Sequence, residues 1–234
     1  MSISENLERV RGRIATAARR ANRNPSEVQL MAVSKTFPAE TIREAYQAGQ
    51  RLFGENRVQE FADKQSPLRD LPGAEWHMIG HLQSNKARAA LELFDAVDSL
   101  DSIALGEKLD AAAAKPGKVL PVLLELNVGG EESKSGLRPD SPDIDALLDA
   151  AAAWEHLAIR GLMSIPPYRD DPEAVRPFFR VLRQYWDKIA ARKLPHVRMD
   201  VLSIGMSHDF EVAIEEGSTC VRVGTAVFGE RAPR

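Results

Sequence analysis

The stretch Val28-Gln-Leu-Met-Ala-Val-Ser-Lys35 decides the fold, because it is a short apolar strand that ends in one charged residue. Seven further apolar stretches follow it, separated by helix-like segments. Regular alternation of strand and helix is typical of a parallel sheet. We therefore predict eight strands near residues 28–35, 51–56, 75–80, 94–99, 119–128, 157–164, 200–205 and 219–224.

Two architectures fit such a sheet: an open doubly wound sheet, and a closed (β/α)8 TIM barrel, which typically takes about 250 residues. Eight strands in 234 residues favour the barrel. No Gly-x-Gly-x-x-Gly motif follows the first strand, so the simplest reason to expect a dinucleotide-binding open sheet is absent. We expect an α/β fold with one barrel domain over residues 1–234.

An additional helix is predicted ahead of the first strand. Residues 4–22 carry Leu7, Val10 and Ile14 at helical spacing, and Ser4 is the predicted start. The same N-terminus is charged where a signal peptide would be apolar, and no apolar run is long enough to span a bilayer. We expect a protein that is neither exported nor embedded in a membrane.

The composition narrows the classes of partner. The chain has 31 basic and 34 acidic residues and a formal net charge of -3, which gives no general attraction to nucleic acid. Cys220 is the only cysteine, so neither an intrachain disulfide nor a zinc site with several thiolates can form. A reducing cytoplasm is the expected location. With only 6% aromatic residues and no apolar stripe, we expect a monomer.

The ends of the predicted strands bring polar residues to one place. In a (β/α)8 barrel the active site lies at the C-terminal ends of the strands. Lys35 ends the first strand, Asn56 the second and Arg222 the eighth, while Ser203 lies near the end of the seventh. A desolvated lysine has a lowered pKa, and its free amine can form a Schiff base with an aldehyde. A solvated lysine at a strand end is the alternative.

The last two strands also suggest a phosphate site. Met206 and Ser207 precede the helix-like stretch 208–216, where unpaired N–H groups suit an anion. Gly224 and Thr225 add a close backbone approach and a hydroxyl. Taken singly, Ser207 is explained by helix capping and Gly224 by a turn. Two such signals on adjacent strands favour phosphate.

Five blocks of sequence, in order, make a specific pattern. They are Ala32-Val-Ser-Lys-Thr36, Phe53-Gly-Glu-Asn-Arg-Val-Gln-Glu60, Trp76-His-Met-Ile-Gly-His-Leu-Gln-Ser-Asn-Lys86, Ser203-Ile-Gly-Met-Ser-His-Asp-Phe210 and Val221-Arg-Val-Gly-Thr-Ala-Val-Phe-Gly229. Together they resemble the pyridoxal-phosphate homeostasis protein family, also called the YggS or PROSC family. The resemblance spans nearly the whole chain, and it implies a barrel similar to the N-terminal domain of alanine racemase, with pyridoxal 5'-phosphate carried on a lysine.

The resemblance also implies roles for single residues. Lys35 would be the Schiff-base lysine, Asn56 would lie beside the cofactor, and Arg222 would face the pyridine nitrogen. The residues that would hold the phosphate are Ser203, Met206, Ser207, Gly224 and Thr225.

Arg222 bears on the kind of function. An arginine cannot take the ring-nitrogen proton, so the cofactor is a weaker electron sink than in a transaminase. Alanine racemase takes its second base, a tyrosine, from a separate β domain, for which this chain is too short. We expect a protein that holds the cofactor and takes part in intracellular vitamin B6 and amino-acid homeostasis, without a defined turnover. Whether it is an enzyme stays open. Alternatives are an amino-acid racemase and a Schiff-base aldolase acting on a phosphosugar.

Two further features call for interpretation. The loop Gly129-Gly-Glu-Glu-Ser-Lys-Ser-Gly136 lacks the order of a P-loop, but its Lys134 is a candidate second lysine that competes for the aldehyde. His77 and His81 have no third ligand at a suitable spacing, so no metal is expected. Besides the cofactor, apo enzymes that need it are candidate partners.

Overall fold

A closed barrel of eight parallel strands forms the centre of the computed structural model, which describes residues 2–132, 134–139 and 141–230. The strands are paired in chain order, and the last returns to pair with the first. The predicted barrel is confirmed. The strands are β1 (Gln29–Val33), β2 (Leu52–Glu55), β3 (Glu75–Met78), β4 (Ala96–Leu100), β5 (Leu120–Glu125), β6 (Leu157–Met163), β7 (Val197–Ser203) and β8 (Cys220–Val223).

Helices connect the strands and cover the outside of the barrel. None of the described helices is both long and apolar enough to cross a membrane. The helices are α1 (Ile3–Arg20), α2 (Ala39–Gln47), α3 (Val58–Gln65), α4 (Ala87–Leu93), α5 (Ile103–Ala114), α6 (Asp143–Ala151), α7 (Arg176–Arg192), α8 (Phe210–Glu215) and α9 (Thr225–Phe228).

The N-terminal helix α1 starts earlier than the sequence pattern predicts. Its N-cap is Ser2, not Ser4, because the Ser2 hydroxyl accepts the backbone N–H of Glu5 and the Glu5 side chain accepts the N–H of Ser2. The helix packs against α8, α9 and α2. The buried Asn6 amide donates to the carbonyl of Val227 at 2.9 Å, so α1 is tied to the last unit of the barrel.

Strands β5 and β7 differ in length from the predictions. Strand β5 ends at Glu125, because the chain then turns to bond with a later loop: Asn127 donates its N–H to the carbonyl of Leu137 at 2.9 Å. Strand β7 begins before residue 200, since Val197 already pairs with Ile159 of β6.

The two faces of the strands pack into different layers, as alternation requires. Val221 and Val223 of β8 belong to the large apolar core between strands and helices. On the inner face, Met31 and Val33 pack with Cys220 inside the barrel. Cys220 is buried, and burial raises the pKa of its thiol to about 12. Cys220 therefore serves as a packing residue inside the barrel.

The barrel is sparsely paired between β7 and β8. One position, Ser203 opposite Cys220, links these two strands, whereas β5 and β6 are paired at six. The buried Ser218 hydroxyl reinforces the seam, lying 2.8 Å from the carbonyl oxygen of Ile204 and 3.1 Å from that of Cys220. Backbone hydrogen bonds also cross this joint, from the N–H of Thr219 to the carbonyl of Leu202, from Ile204 to Cys220 and from Arg222 to Gly205, so side chains and backbone together close the barrel here.

Helix α5 approaches its neighbour closely at one residue. Gly106 is buried, and a Cβ atom placed there would lie 2.2 Å from the ring of Trp154. Gly12 of α1 has no such neighbour, because nothing lies within 4 Å of a Cβ at that position. The packing of Trp154 thus requires a glycine in α5.

Candidate functional site

Lys35 lies at the C-terminal mouth of the barrel, two residues beyond the end of β1, and it is half-buried. Met31 and Val33 precede it on the inner face and pack with Ile79. The inner face of β1 therefore leads towards the residue position of Lys35. A rigid strand delivers the lysine to the end of the barrel where ligands bind in this fold.

Lys64 of α3 holds the backbone on both sides of Lys35. Its ammonium donates to the carbonyl oxygens of Ser34 at 3.0 Å and Phe37 at 3.3 Å. It also lies 2.8 Å from a carboxylate oxygen of the fully buried Glu55. We call Ser34, Glu55, Glu60 and Lys64 the Lys64 clamp.

The clamp also fixes a strained residue. Thr36 has a φ of 69°, which is uncommon for a residue other than glycine, and its N–H donates to Glu60 at 2.5 Å. The Ser34 hydroxyl donates to Glu55 at 2.6 Å. Burial raises the pKa of Glu55, although Lys64 and Ser34 both oppose that shift. The chain around Lys35 is thus held by buried charge and not by apolar contact alone.

Arg222 points into the mouth from β8 and is only 3% exposed. Its Nη1 donates to the hydroxyl of Ser203 at 2.7 Å and to the Ser203 carbonyl at 2.5 Å. Its Nη2 donates to the carbonyl of Ser164 at 2.7 Å. A guanidinium keeps its proton in proteins, so these bonds fix a permanent cation beside the ends of β6 and β7.

The ends of β7 and β8 offer backbone donors. Within the described part of the chain, the N–H groups of Ser207 and Thr225 have no hydrogen-bond acceptor. The Ser207 hydroxyl accepts the N–H of Ala226 at 3.4 Å, so these two loops are neighbours. At Gly224 a Cβ would lie 3.3 Å from the carbonyl oxygen of Val33, which brings β8 close to the strand that carries Lys35.

The position of Met206 differs from the prediction. Helix α8 starts only at Phe210, so Met206 and Ser207 lie in the turn before it. The Met206 N–H is already used, because it donates to the Asp209 carboxylate at 2.6 Å. Met206 therefore does not offer its N–H to a ligand in this arrangement. Burial raises the pKa of Asp209, and the bond from Met206 opposes that shift.

Asn56 is half-buried directly after β2. Its backbone passes close to Gly80, where a Cβ would lie 2.3 Å from the Asn56 carbonyl oxygen. Gly80 thus leaves room for the loop that carries Asn56 at the mouth.

Lys134 lies on the loop after β5. It forms an ion pair with Glu131 and donates to the carbonyl of Pro166 at 3.3 Å. The Asn127 amide holds the same loop through the carbonyl oxygens of Glu131 and Lys134, at 2.8 and 3.1 Å. Lys134 therefore bridges the loops that follow β5 and β6.

The two histidines of β3 and its following loop bind carboxylates. His77 Nδ1 lies 3.0 Å from the buried Asp98, and His81 Nδ1 lies 3.3 Å from Asp101. Burial lowers the pKa of His77, but the carboxylates of Asp98, Glu75 and Asp95 together outweigh it and the net shift is upward. Among the described residues, no three side chains of His, Cys, Asp or Glu are placed to hold a metal ion.

Comparison with known proteins assigns the family. The family described as alanine racemase, N-terminal domain, matches residues 6–232. The pyridoxal phosphate homeostasis protein of Aquifex aeolicus is 46% identical over 99% of this chain and 99% of its own. That of Escherichia coli strain K12 is 45% identical over 98% of this chain and 97% of its own. The chain belongs to the pyridoxal phosphate homeostasis protein family.

Solved structures agree with this family assignment. PipY of Synechococcus elongatus, solved with pyridoxal phosphate bound, matches with a TM-score of 0.82 and 42% identity over 97% of this chain and 100% of that chain. An alanine racemase of Clostridium difficile matches with a TM-score of 0.73 and 12% identity, over 100% of this chain and 57% of that chain. The second likeness shows the shared barrel only.

Several residues of this family member's mouth are not found by the sequence reasoning. Glu55 ends β2, and its carboxylate pairs with Lys64 of α3. From the sequence alone, a charged residue on α3 reads as a solvated one. Ser164 contributes its carbonyl oxygen, which no side-chain pattern marks. Glu125 is a different case: alternation along β5 allows it to face inward, but the sequence names no partner for its carboxyl group.

Proposed function

We propose that this chain binds pyridoxal 5'-phosphate through Lys35 and takes part in vitamin B6 and amino-acid homeostasis as a holder and donor of the cofactor. The observation that carries the proposal is the PipY structure with the cofactor bound, at 42% identity over 97% of this chain. Lys35 at the mouth supplies the amine that this role needs.

The residues at the mouth fit the group. Among the described residues the N–H groups of Ser207 and Thr225 have no acceptor, which suits a phosphate, and Gly224 lets β8 approach β1 closely. Ser203 contributes indirectly, because its hydroxyl binds Arg222. Asn56 follows β2, which is separated from β8 by β1 alone. When bound, the cofactor supplies an aldehyde and an electron-withdrawing ring.

The position of Arg222 favours a protein that holds the cofactor over one that catalyses a reaction with it. Its guanidinium is fixed by Ser203 and Ser164 and cannot accept a proton from a ring nitrogen. It therefore favours the neutral ring, which withdraws electrons less strongly.

The tyrosines argue against the racemase alternative, which needs a second base on the opposite face of the substrate carbon. The Tyr46 hydroxyl donates to the carbonyl of Pro72 at 2.8 Å, and that of Tyr185 to the carbonyl of Pro139 at 2.5 Å. Tyr168 is 67% exposed and packs against the ring of His208.

The test is an absorbance spectrum of the purified protein with pyridoxal phosphate, followed by borohydride reduction and peptide mass mapping. We expect the added mass on Lys35 and none in Lys35→Ala. Lys134→Ala is the matched control at the mouth, and we expect it to keep the label on Lys35. An unchanged band and label in Lys35→Ala contradicts the proposal. A colourless protein whose Lys35 is trapped only with a sugar phosphate establishes the aldolase alternative.

A protein that holds and releases the cofactor needs partners that receive it. We propose that apo enzymes requiring the cofactor receive it, that Lys134 assists by competing for the aldehyde, and that the protein acts as a monomer in the cytoplasm. Transfer to an apo acceptor enzyme, measured by the acceptor's recovered activity, tests the role of Lys134. Equal rates with wild type and Lys134→Ala contradict it.

A further inference from the structure

Glu125 is a buried acid at the mouth that no role so far explains. It is the last residue of β5 and is 6% exposed. Its neighbours Leu124 and Leu126 pack in the outer core, so its side chain points into the barrel. Across the described residues, its Oε2 finds no hydrogen-bond partner. A buried polar atom without a partner is costly, and native proteins keep few of them.

Groups of both charges act on the Glu125 carboxyl group. Burial raises the pKa of Glu125 to about 7; Asp101 after β4 adds to the shift and Arg222 opposes it. Near neutral pH the carboxyl therefore exists in both forms. Three other groups act on Arg222: Asp98, Asp209 and Cys220. The charged groups on the loops of the mouth are Lys35 and Lys134. Three of the groups around the mouth have ion-pair partners: His77 pairs with Asp98, His81 with Asp101 and Glu131 with Lys134.

We propose that Glu125 takes up a proton when the anionic cofactor enters the mouth, and that this uptake sets the affinity of the site. The proposal rests on the binding of pyridoxal phosphate proposed above. An arriving anion competes with the Glu125 carboxylate for the positive charge of Arg222 and repels that carboxylate. Both effects favour the neutral form of Glu125.

The linkage has a definite sign. If the ligand raises the affinity of Glu125 for a proton, a proton equally raises the affinity for the ligand. Affinity therefore falls as the pH rises through the range in which Glu125 ionises in the empty protein. The neutral carboxyl can also donate a hydrogen bond, which relieves its unpartnered oxygen.

The experiment measures the dissociation constant of pyridoxal phosphate from roughly pH 6 to 8 for wild type, Glu125→Gln and Glu132→Gln. Glu132 is an exposed residue on the loop after β5, so its variant removes the same charge in solvent. We expect wild type and Glu132→Gln to lose affinity over this range by about three- to tenfold more than Glu125→Gln, since one unit of pKa shift corresponds to tenfold. Every other group that ionises in this range is common to wild type and Glu125→Gln.

The same pH dependence in wild type and Glu125→Gln overturns the proposal. Absence of binding in every protein would instead reject the proposed function, so the two failures are distinct. If Glu125→Gln does not fold, the carboxyl carbons of isotope-labelled glutamates in the wild type give the answer by NMR. We expect one carboxyl that titrates near neutral pH and whose midpoint rises on adding the ligand. Absence of such a carboxyl also overturns the proposal.

Discussion

The ammonium of Lys64 lies 2.8 Å from the carboxylate of Glu55 in a place where neither side chain is well solvated. The Glu55 side chain is fully buried and that of Lys64 is 12% exposed. The same ammonium binds the backbone on both sides of Lys35. The stability of the protein and the placement of Lys35 at the mouth therefore both depend on the ion pair between Lys64 and Glu55.

Lys64→Met should destabilise the protein by about 3–5 kcal/mol, because it leaves the Glu55 charge buried without its partner. The measurement is the free energy of unfolding in denaturant. Arg88→Met, which removes an exposed pair with Glu92, should cost less than about 1 kcal/mol. Adding Glu55→Gln to Lys64→Met should recover part of the loss, and a Lys64→Met protein as stable as wild type contradicts the role of the clamp.

Arg222→Glu should shift the spectrum of the bound cofactor towards the protonated ring, since a carboxylate can stabilise the proton that arginine excludes. Ser203→Ala is the control: it keeps the cation and removes one hydrogen bond to it. We expect it to leave the state of the ring unchanged and to lower stability by about 1.5–3 kcal/mol. An unaltered spectrum in Arg222→Glu with the cofactor still bound argues against contact between Arg222 and the ring.

The contribution of Glu125 to the free energy of unfolding should fall as the pH rises from about 4.5 to about 7, because Glu125 ionises at the lower value when unfolded and at the higher value when folded. The unfolded state binds fewer protons in this window, so the contribution of Glu125 is negative and amounts to about 3 kcal/mol when complete. Glu125→Gln should lack this loss, whereas Glu132→Gln should retain it. Denaturant unfolding across the pH range measures the difference.

The same substitution should have opposite effects in two helices. Gly12→Ala should stabilise the protein by about 0.5–1 kcal/mol, because it favours α1 and meets no neighbour. Gly106→Ala should destabilise it by about 1–3 kcal/mol, because its methyl group would overlap the ring of Trp154. Melting temperatures of the two variants that move in the same direction contradict this account of the packing.

Position along the strands was sufficient to predict at which end of the barrel several candidate site residues lie. A lysine at the end of β1 and an arginine at the end of β8 must meet at one mouth once the strands close into a barrel, and alternation then places Ser203 beside Arg222. Neither step needs knowledge of the loops.

Other parts depend on contacts that sequence spacing does not encode. The Met206 N–H donates to the Asp209 carboxylate, and sequence spacing does not distinguish this hydrogen bond from other local ones of similar energy. The pairing of Lys64 with Glu55 needs the helix layer to be packed, and the state of Glu125 depends on charges from β4 and β8.

Arg222 has a second consequence, because its bonds to Ser164 and Ser203 span the ends of β6, β7 and β8 where backbone pairing between β7 and β8 is sparsest. A ligand that binds the Arg222 side chain therefore also stabilises the contact between β7 and β8. Amide hydrogen exchange in β7 and β8 should therefore slow when the mouth is filled, so the local opening of this seam reports occupancy without any chemical turnover.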